Sequence, residues 1–539
     1  DPSFALGVDD LDAMEQILQL TGGMPLAILL ASSWVDILPI REIAAEIQRS
    51  LDFLETEADG VPDRQRSVRA VFEYSWQLLS DEEKDNFSAL SVFRGGFTRD
   101  AAAQVAGMSL RSLSSLAAKT LVTPSPDKER YSVHELLRQY AQAELERDQT
   151  RFEQVQDSHA AYFADLADAA FRLVAQSDEP GLVALFEADL ENTRTAFRHL
   201  VDDRDAAGLR KMLPSMYVVY EIRCWYLTGL GMIEGALDAL PSSPADPAVA
   251  LTRHLALAVR SWFLALLGRP AMDEVAAATT HLRQSADLIA LWVALQCQAL
   301  NCAYLDQLDA MIEVTDEIIS LGETMEDRFY GVGGHNWRSR AAMYRGDYAT
   351  ANGLLTEALA LFEERDEYYF MIWNLGLQAA MATLQGRPEE ALPLTTRQVE
   401  RAKRLGYRRG LAVALHSLGQ AKLAVGDNEG AERAFVEAVV VCDQIGMVVD
   451  MIGLIANVAR VRGQMGRTIE AVELLATVRA EPLSTQRGIM DNVAVAELVP
   501  DWLDELRDEM EPSAFSDAED RGEARPYDVA AKELIEHAI

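Results

Sequence analysis

The feature that most constrains this chain is a glycine that returns every 40 residues. Gly346, Gly386, Gly426 and Gly466 keep that spacing, and an alanine follows each one five positions later: Ala351, Ala391, Ala431 and Ala471. Seven positions before each glycine stands a small residue, Ser339, Ala379, Gly419 or Ala459. A second breaker recurs at the other end of the unit, in Leu405-Gly406 and Ile445-Gly446. Glycine enters left-handed backbone conformations at no steric cost, so it ends a helix where another residue resists. Small residues let two helices approach closely. The spacing therefore predicts helix–turn–helix hairpins, each burying its apolar face on the next. Weaker copies occur at Gly268 and near Asp306.

The pattern of a small residue followed by Gly-x-x-x-x-Ala resembles the tetratricopeptide (TPR) repeat. The period is longer than that family's 34 residues, which predicts longer helices. Upstream, Pro241-Ser242-Ser243-Pro244 with Asp246-Pro247 reads as a linker, and Glu481-Pro482 ends the last repeat. Residues 501–539 hold 13 acidic against 4 basic side chains, but Trp502, Leu503, Leu506 and Met510 keep helical spacing, which predicts a capping helix. Strand signals are confined to the first 150 residues. There Leu121-Val122-Thr123 and Tyr131-Ser132-Val133 flank a turn-rich connector, predicting one hairpin. Helical patterns precede it over 68–79, 81–90, 101–106 and 112–117, and helices followed by a two-stranded wing predict a winged-helix domain. The expected fold class is all-α: a solenoid of TPR-like hairpins preceded by a small helical domain and the winged helix. The expected domains are 1–60 (helical, closing a nucleotide-binding module), 61–146 (winged helix), 147–240 (helical connector), 241–480 (repeat array) and 481–539 (capping helices).

Composition removes several functions. The 539 residues carry 49 basic and 85 acidic side chains, a net charge of -36, which argues against a nucleic-acid-coating surface. Over 61–145 there are 11 of each sign, so the winged helix lacks the basic recognition helix of a DNA reader. Cys224, Cys297, Cys302 and Cys442 form no Cys-x-x-Cys pair and read as reduced core thiols, consistent with a cytoplasmic protein. No uncharged apolar run approaches membrane-spanning length, Arg260 interrupting the best late candidate. No metal site is expected. A chain opening Asp1-Pro2-Ser3 reads as a piece of something longer.

One turn carries chemistry. In Thr21-Gly22-Gly23-Met24-Pro25-Leu26-Ala27, glycines precede a proline placed to start a helix. An ordinary helix start would read the same, but a bare glycine backbone at a helix end also suits a flat or anionic ligand. Gly23-Met24-Pro25-Leu26-Ala27 is similar to the Gly-x-Pro-Leu-Ala motif that closes the nucleotide-binding module of STAND-type signal-transduction ATPases. Three further stretches resemble that family in the expected order: Tyr74 to Ser80, Leu90 to Phe97, and Tyr131-Ser132-Val133-His134-Glu135-Leu136-Leu137 onward. So does Leu190-Glu191-Asn192-Thr193-Arg194, with Trp225 and Glu234-Gly235, before the repeats. The resemblance covers essentially the whole chain. It implies a molecular switch in which Pro25 lines an adenine pocket, Gly23 beside it contacts the nucleotide, and His134 reaches the ADP phosphate, holding the off state. Without the resemblance, His134 would read as a satisfied histidine starting a helix.

No Gly-x-x-x-x-Gly-Lys-Ser/Thr occurs, so no phosphate-cradling loop or its lysine is present. This predicts no ATP hydrolysis by the chain, no cofactor of its own, and ADP or ATP with Mg only in the full-length protein. No catalytic constellation can be assembled either. The remaining candidate site is the inner face of the array. Offsets from each repeat glycine give Asn336, Arg340, Tyr344, Trp373, His416, Gln420, Arg460 and Gln464, a set suited to a peptide or small anionic ligand unless its members pack between helices. The leading reading is the regulatory and sensor portion of a STAND switch, with the array binding an inducer or protein partner. Its other partners are the missing nucleotide-binding and output domains, and copies of itself on activation; neither nucleic acid nor membrane is expected to bind directly. The alternative is a free-standing TPR interaction scaffold.

Overall fold

The computed structural model describes residues 11–536, apart from 22, 33, 36–37, 50–53, 55–67, 177 and 486–494. Among the described residues helices dominate, joined by three short strands. The chain forms two compact units. Residues 1–166 with 186–203 make the first; 167–185 with 204–539 make the second. The stretch read as a connector, 147–240, contributes to both.

In the first unit the helices Leu11–Thr21, Pro25–Ser32 and Ile40–Arg49 precede a second group, Val68–Gln77, Asp81–Ala89, Arg99–Ala106, Leu110–Ala118 and Glu135–Leu145. Ala27, Leu30, Ile43 and Ile47 from the first group share one core with Phe72, Leu136 and Tyr140 from the second. The helix Asp81–Ala89 opens with a capping box, Ser80 and Glu83 satisfying each other's backbone N–H. The expected hairpin is present as β2 (Thr123–Pro124) and β3 (Arg130–Ser132), and a third strand that the sequence did not signal, β1 (Phe97–Thr98), pairs with the far side of β3. Two residues carry no readable alternation, so β1 is fixed by its neighbours: Phe97 stacks on Tyr131 with centroids 6.1 Å apart. Gly96 just before it has φ +101°, and a Cβ there would come within 2.8 Å of the Tyr131 carbonyl oxygen, so only glycine fits.

The second unit is the repeat array. Its hairpins run from Pro247–Leu266 to Thr468–Ala480, and from Leu308 to Gln464 the helices are 16 to 18 residues long, which accounts for the 40-residue period. The four repeat glycines have φ between +72° and +85°, as a left-handed helix stop requires. Asp306 takes the same conformation 40 residues before Gly346, and Glu326 and Asp366 do so in register with Gly406 and Gly446. The alanines at the conserved offset are fully buried, and a Cβ on Gly419 would meet the Phe435 ring at 2.5 Å. Beyond the array lie Val495–Glu509, Pro512–Ala524 and Tyr527–Glu536.

Among the described residues, the helix Pro247–Leu266 is long and apolar enough to cross a membrane by length and composition, although Arg253 and Arg260 interrupt its apolar run. Its Leu255, Val259, Trp262 and Phe263 are spent on packing in the array, and Arg260 pairs with Glu274 on the next helix.

Candidate functional site

Two places collect the residues singled out from the sequence, one in each unit. In the first unit, Gly23 has φ +69° and Pro25 begins the helix Pro25–Ser32, as the motif requires. His134 caps the helix Glu135–Leu145. Its Nδ1 accepts from the Leu136 N–H at 3.2 Å, so the ring proton of the neutral form sits on Nε2. That Nε2 is buried and meets no acceptor at full hydrogen-bond geometry; the Thr21 carbonyl is the backbone acceptor that acts on it. Burial lowers the His134 pKa, and the Thr21 carbonyl and Glu135 only partly oppose it. The structure thus brings a neutral imidazole, its Nε2–H loosely engaged by the Thr21 carbonyl, against the residue that opens the Gly-x-Pro turn.

The same unit explains the Leu190-Glu191-Asn192-Thr193-Arg194 motif. Asn192 is fully buried; its Oδ1 accepts from the Arg94 N–H at 2.6 Å, while its Nδ2 donates to the Gly96 carbonyl and to Asp189, both at 2.8 Å. Asp189 also takes both guanidinium ends of Arg130, at 2.7 and 3.0 Å. One amide and one ion pair therefore clip the helix Leu190–Asp202 to the loop before β1 and to β3.

In the second unit a cleft opens inside the array, with about 550 Å³ of space between its walls out to the mouth; only about 50 Å³ of it is roomy enough to seat the centre of a water molecule. It is a narrow slot walled by rings: Tyr217, Trp262, Trp337, Tyr369, Phe370 and Trp373. Arg409 lies over Trp373 with its guanidinium carbon 5.0 Å from the ring centroid. Its Nη1 donates to Glu221 at 2.5 Å, Tyr407 donates to the same carboxylate oxygen, and Trp262 Nε1 donates to the other at 3.1 Å. Arg409, Glu221 and Tyr407 are all at most 1% exposed. Burial opposes the charge on Arg409, but Glu221 holds its pKa well above the ordinary value.

The residues expected on the inner face divide. Arg340, Trp373 and Asn336 line the cleft. Asn336, however, is committed to packing: it donates to the Phe370 carbonyl at 2.9 Å and accepts from Asn374 at 3.0 Å. Tyr344 sits beside the cleft, its hydroxyl accepting from Arg340 Nε at 3.0 Å. His416 and Gln420 form a buried chain with Asn457, and burial drives the His416 pKa down to about 4. Arg460 and Gln464 line a different pocket, where Arg460 stacks on Trp502 at 5.3 Å. The sequence reading missed Arg409, Glu221, Tyr217, Trp262 and Gln296. Gln296 was findable: it stands ten residues before Asp306, the offset that gave Asn336 and His416.

Two other clusters stand out. Glu179 and Glu367 face each other in the second unit, both at most 1% exposed. Glu367 accepts from the Phe370 and Met371 N–H groups at 2.7 and 2.8 Å, and burial lifts its pKa to about 7; burial and Glu367 raise that of Glu179 further. Burial and the nearness of a second acid thus favour the protonated form in this pair. In the first unit, among the described residues, Asp157, His199 and Asp203 are the group close enough for a shared cation. There one imidazole nitrogen, His199 Nε2, reaches both carboxylates, at 2.8 and 3.1 Å, which is the geometry of an exposed ion pair.

No family model matches the chain. It is 26% identical over 444 residues to proteins of Mycobacterium bovis and Mycobacterium tuberculosis that carry the provisional name HTH-type transcriptional regulator. The match covers 71% of this chain and 49% of theirs, so the chain spans about half the length of these relatives. A solved structure of a STAND protein with a tetratricopeptide repeat sensor, from Pyrococcus horikoshii, superposes with a TM-score of 0.54 at 14% identity, covering 95% of this chain and 74% of that one. The fold is therefore shared, nearly end to end, with a STAND protein that carries a TPR sensor.

Proposed function

We propose that this chain is the regulatory and sensor portion of a STAND-type ATPase switch. The repeat array binds an inducer or protein partner and thereby sets the nucleotide-dependent on or off state. ADP or ATP, with Mg, is held by the whole protein. The segment around Thr123–Ser132 acts as a winged-helix lever, contributing His134 to the nucleotide site opposite Gly23 and Pro25. The observation that carries the reading is the His134 donor turned toward Thr21, at the head of the Gly-x-Pro turn. A neutral Nε2–H there can donate to a phosphate oxygen and lose that bond when the phosphate leaves. The switch then needs only a ligand with unequal affinity for its two states.

The test uses the full-length protein, purified natively, denatured, and assayed for bound nucleotide by chromatography. His134→Ala should lower ADP occupancy about tenfold, the loss of one charge-assisted hydrogen bond, and raise basal output. ADP occupancy equal to that of the wild type would overturn the role of His134. A full-length protein that carries no nucleotide at all would replace the switch by the interaction scaffold.

A further inference from the structure

We infer that the ring-walled cleft of the array is a receptor for a flat apolar carboxylate, a small molecule whose carboxylate seats on Arg409 and whose planar body lies between the aromatic walls. The inference deepens the sensor reading and rests on it only for the consequence of binding, not for the binding itself.

The argument is one of unmet hydrogen bonds. Among the residues lining the cleft, three buried polar atoms lack a partner: Arg409 Nε, Arg409 Nη2 and Gln296 Nε2. Both side chains are almost wholly enclosed, Arg409 at 1% and Gln296 at 2% exposure. All three atoms are donors. The orientation of the Gln296 amide is fixed from outside, because its Oε1 accepts from Trp337 Nε1 at 2.9 Å, and an indole N–H can only donate. The amide nitrogen is thus the end left over, 3.2 Å from where a Cβ on Gly333 would lie. Buried donors left unmade are costly, and proteins rarely keep three in one place.

Glu221 does not answer them. Its two oxygens already serve Arg409 Nη1, Tyr407 and Trp262. What remains of Arg409 is the Nε–Nη2 edge, the side of the guanidinium whose two parallel N–H bonds match a carboxylate. An occupant that completes this arrangement must bring acceptors and no donors to that edge. The rest of the slot specifies the body: narrow, bounded by Trp373 beneath the guanidinium and by Tyr369 and Phe370, it accepts a planar ring system more readily than a branched or strongly hydrated one.

Isothermal calorimetry on this chain, with 2-naphthoate and 2-naphthamide as probes, separates the terms. The two have the same body and differ in the head group, an anion that presents acceptors alone or a neutral amide that also carries an N–H₂ donor. Naphthoate should bind at least about tenfold more tightly than naphthamide. Arg409→Lys keeps a cation for Glu221 but removes the fork, and should reduce that preference at least about fivefold; Gln296→Met should weaken naphthoate about fivefold. The circular dichroism spectrum and melting curve of each variant confirm folding. Equal affinity for the two probes, or a preference undiminished by Arg409→Lys in a folded protein, overturns the carboxylate assignment. No binding of either probe at millimolar concentration overturns the small-molecule receptor, leaving the array a surface for a protein partner. The switch reading fails separately, through ADP retention in His134→Ala, which these titrations do not touch.

Discussion

Arg409 is a residue that packing places and pattern does not reveal. In the sequence it is one of three arginines around Gly410, at the start of the helix Arg408–Ala424, where a basic residue ordinarily faces water. In the fold it is buried against Glu221, 188 positions away, a separation no periodicity can register. Removing one partner strands the other charge, so Arg409→Met should destabilise the protein by about 3–5 kcal/mol. The double variant Arg409→Met, Glu221→Leu should cost less than the sum of the two single changes, since neither leaves a buried ion. Urea unfolding monitored by hydrogen exchange in Arg408–Ala424 would measure both; strict additivity would refute the coupling. Asn192 teaches the converse. Its motif was legible as a family resemblance, but its work, two hydrogen bonds across more than ninety residues to the loop before β1, became visible only with the chain folded.

Among elements, the repeat hairpins were the most legible because their signal is steric and local: a left-handed stop, two small contact positions and a fixed period. Where the stop is not glycine, the signal weakened at Asp306 and vanished at two further positions. Glu326 and Asp366 adopt φ +55° and +52° in the same register as Gly406 and Gly446, paying in strain what glycine gives freely, and nothing in their chemistry announces it. Strand β1 escaped because two residues hold no alternation. The buried carboxyl pair Glu179–Glu367 was equally silent, one acid lying on the short helix Glu179–Ala188 and the other just before Tyr369–Leu384. Both carboxyls have folded-state pKa values above the ordinary 4.5, so the folded protein binds protons that the unfolded chain releases. Stability is therefore greatest below about pH 4.5 with respect to this pair, and falls as pH rises to about 7, the Glu367 value. Glu179→Gln should remove much of that fall. Melting curves at about pH 5 and about pH 8 decide it: the variant should gain over the wild type at the higher pH and not at the lower. An equal effect at both would refute the protonated pair.

For the whole molecule, the eight residues projected onto one inner face prove to serve three environments: the cleft, a buried amide–imidazole chain, and a pocket roofed by Trp502. A register predicts which way a helix position points but not what the next element brings to it, and Trp502 belongs to a helix beyond the last repeat. The three environments make separable predictions. Arg340→Glu, at the mouth of the cleft, should weaken naphthoate at least about tenfold through like-charge repulsion. Arg460→Glu should leave that affinity unchanged, because it faces Trp502 and not the cleft. Equal loss from both substitutions would return the whole array to a single continuous site.

Tyr217, Tyr369 and Phe370 wall the cleft on one side, and on the other they wall the space that Glu179 shares with Val174 and Trp292. The Glu367 carboxylate is anchored on the backbone of that same partition, at Phe370 and Met371. A guest that presses on one surface of these rings and a proton that sits behind the other therefore act on a common first helical turn. By reciprocity, whatever the one does to the other it must receive in return: a receptor built this way reads the acidity of its surroundings and the presence of its ligand as a single quantity.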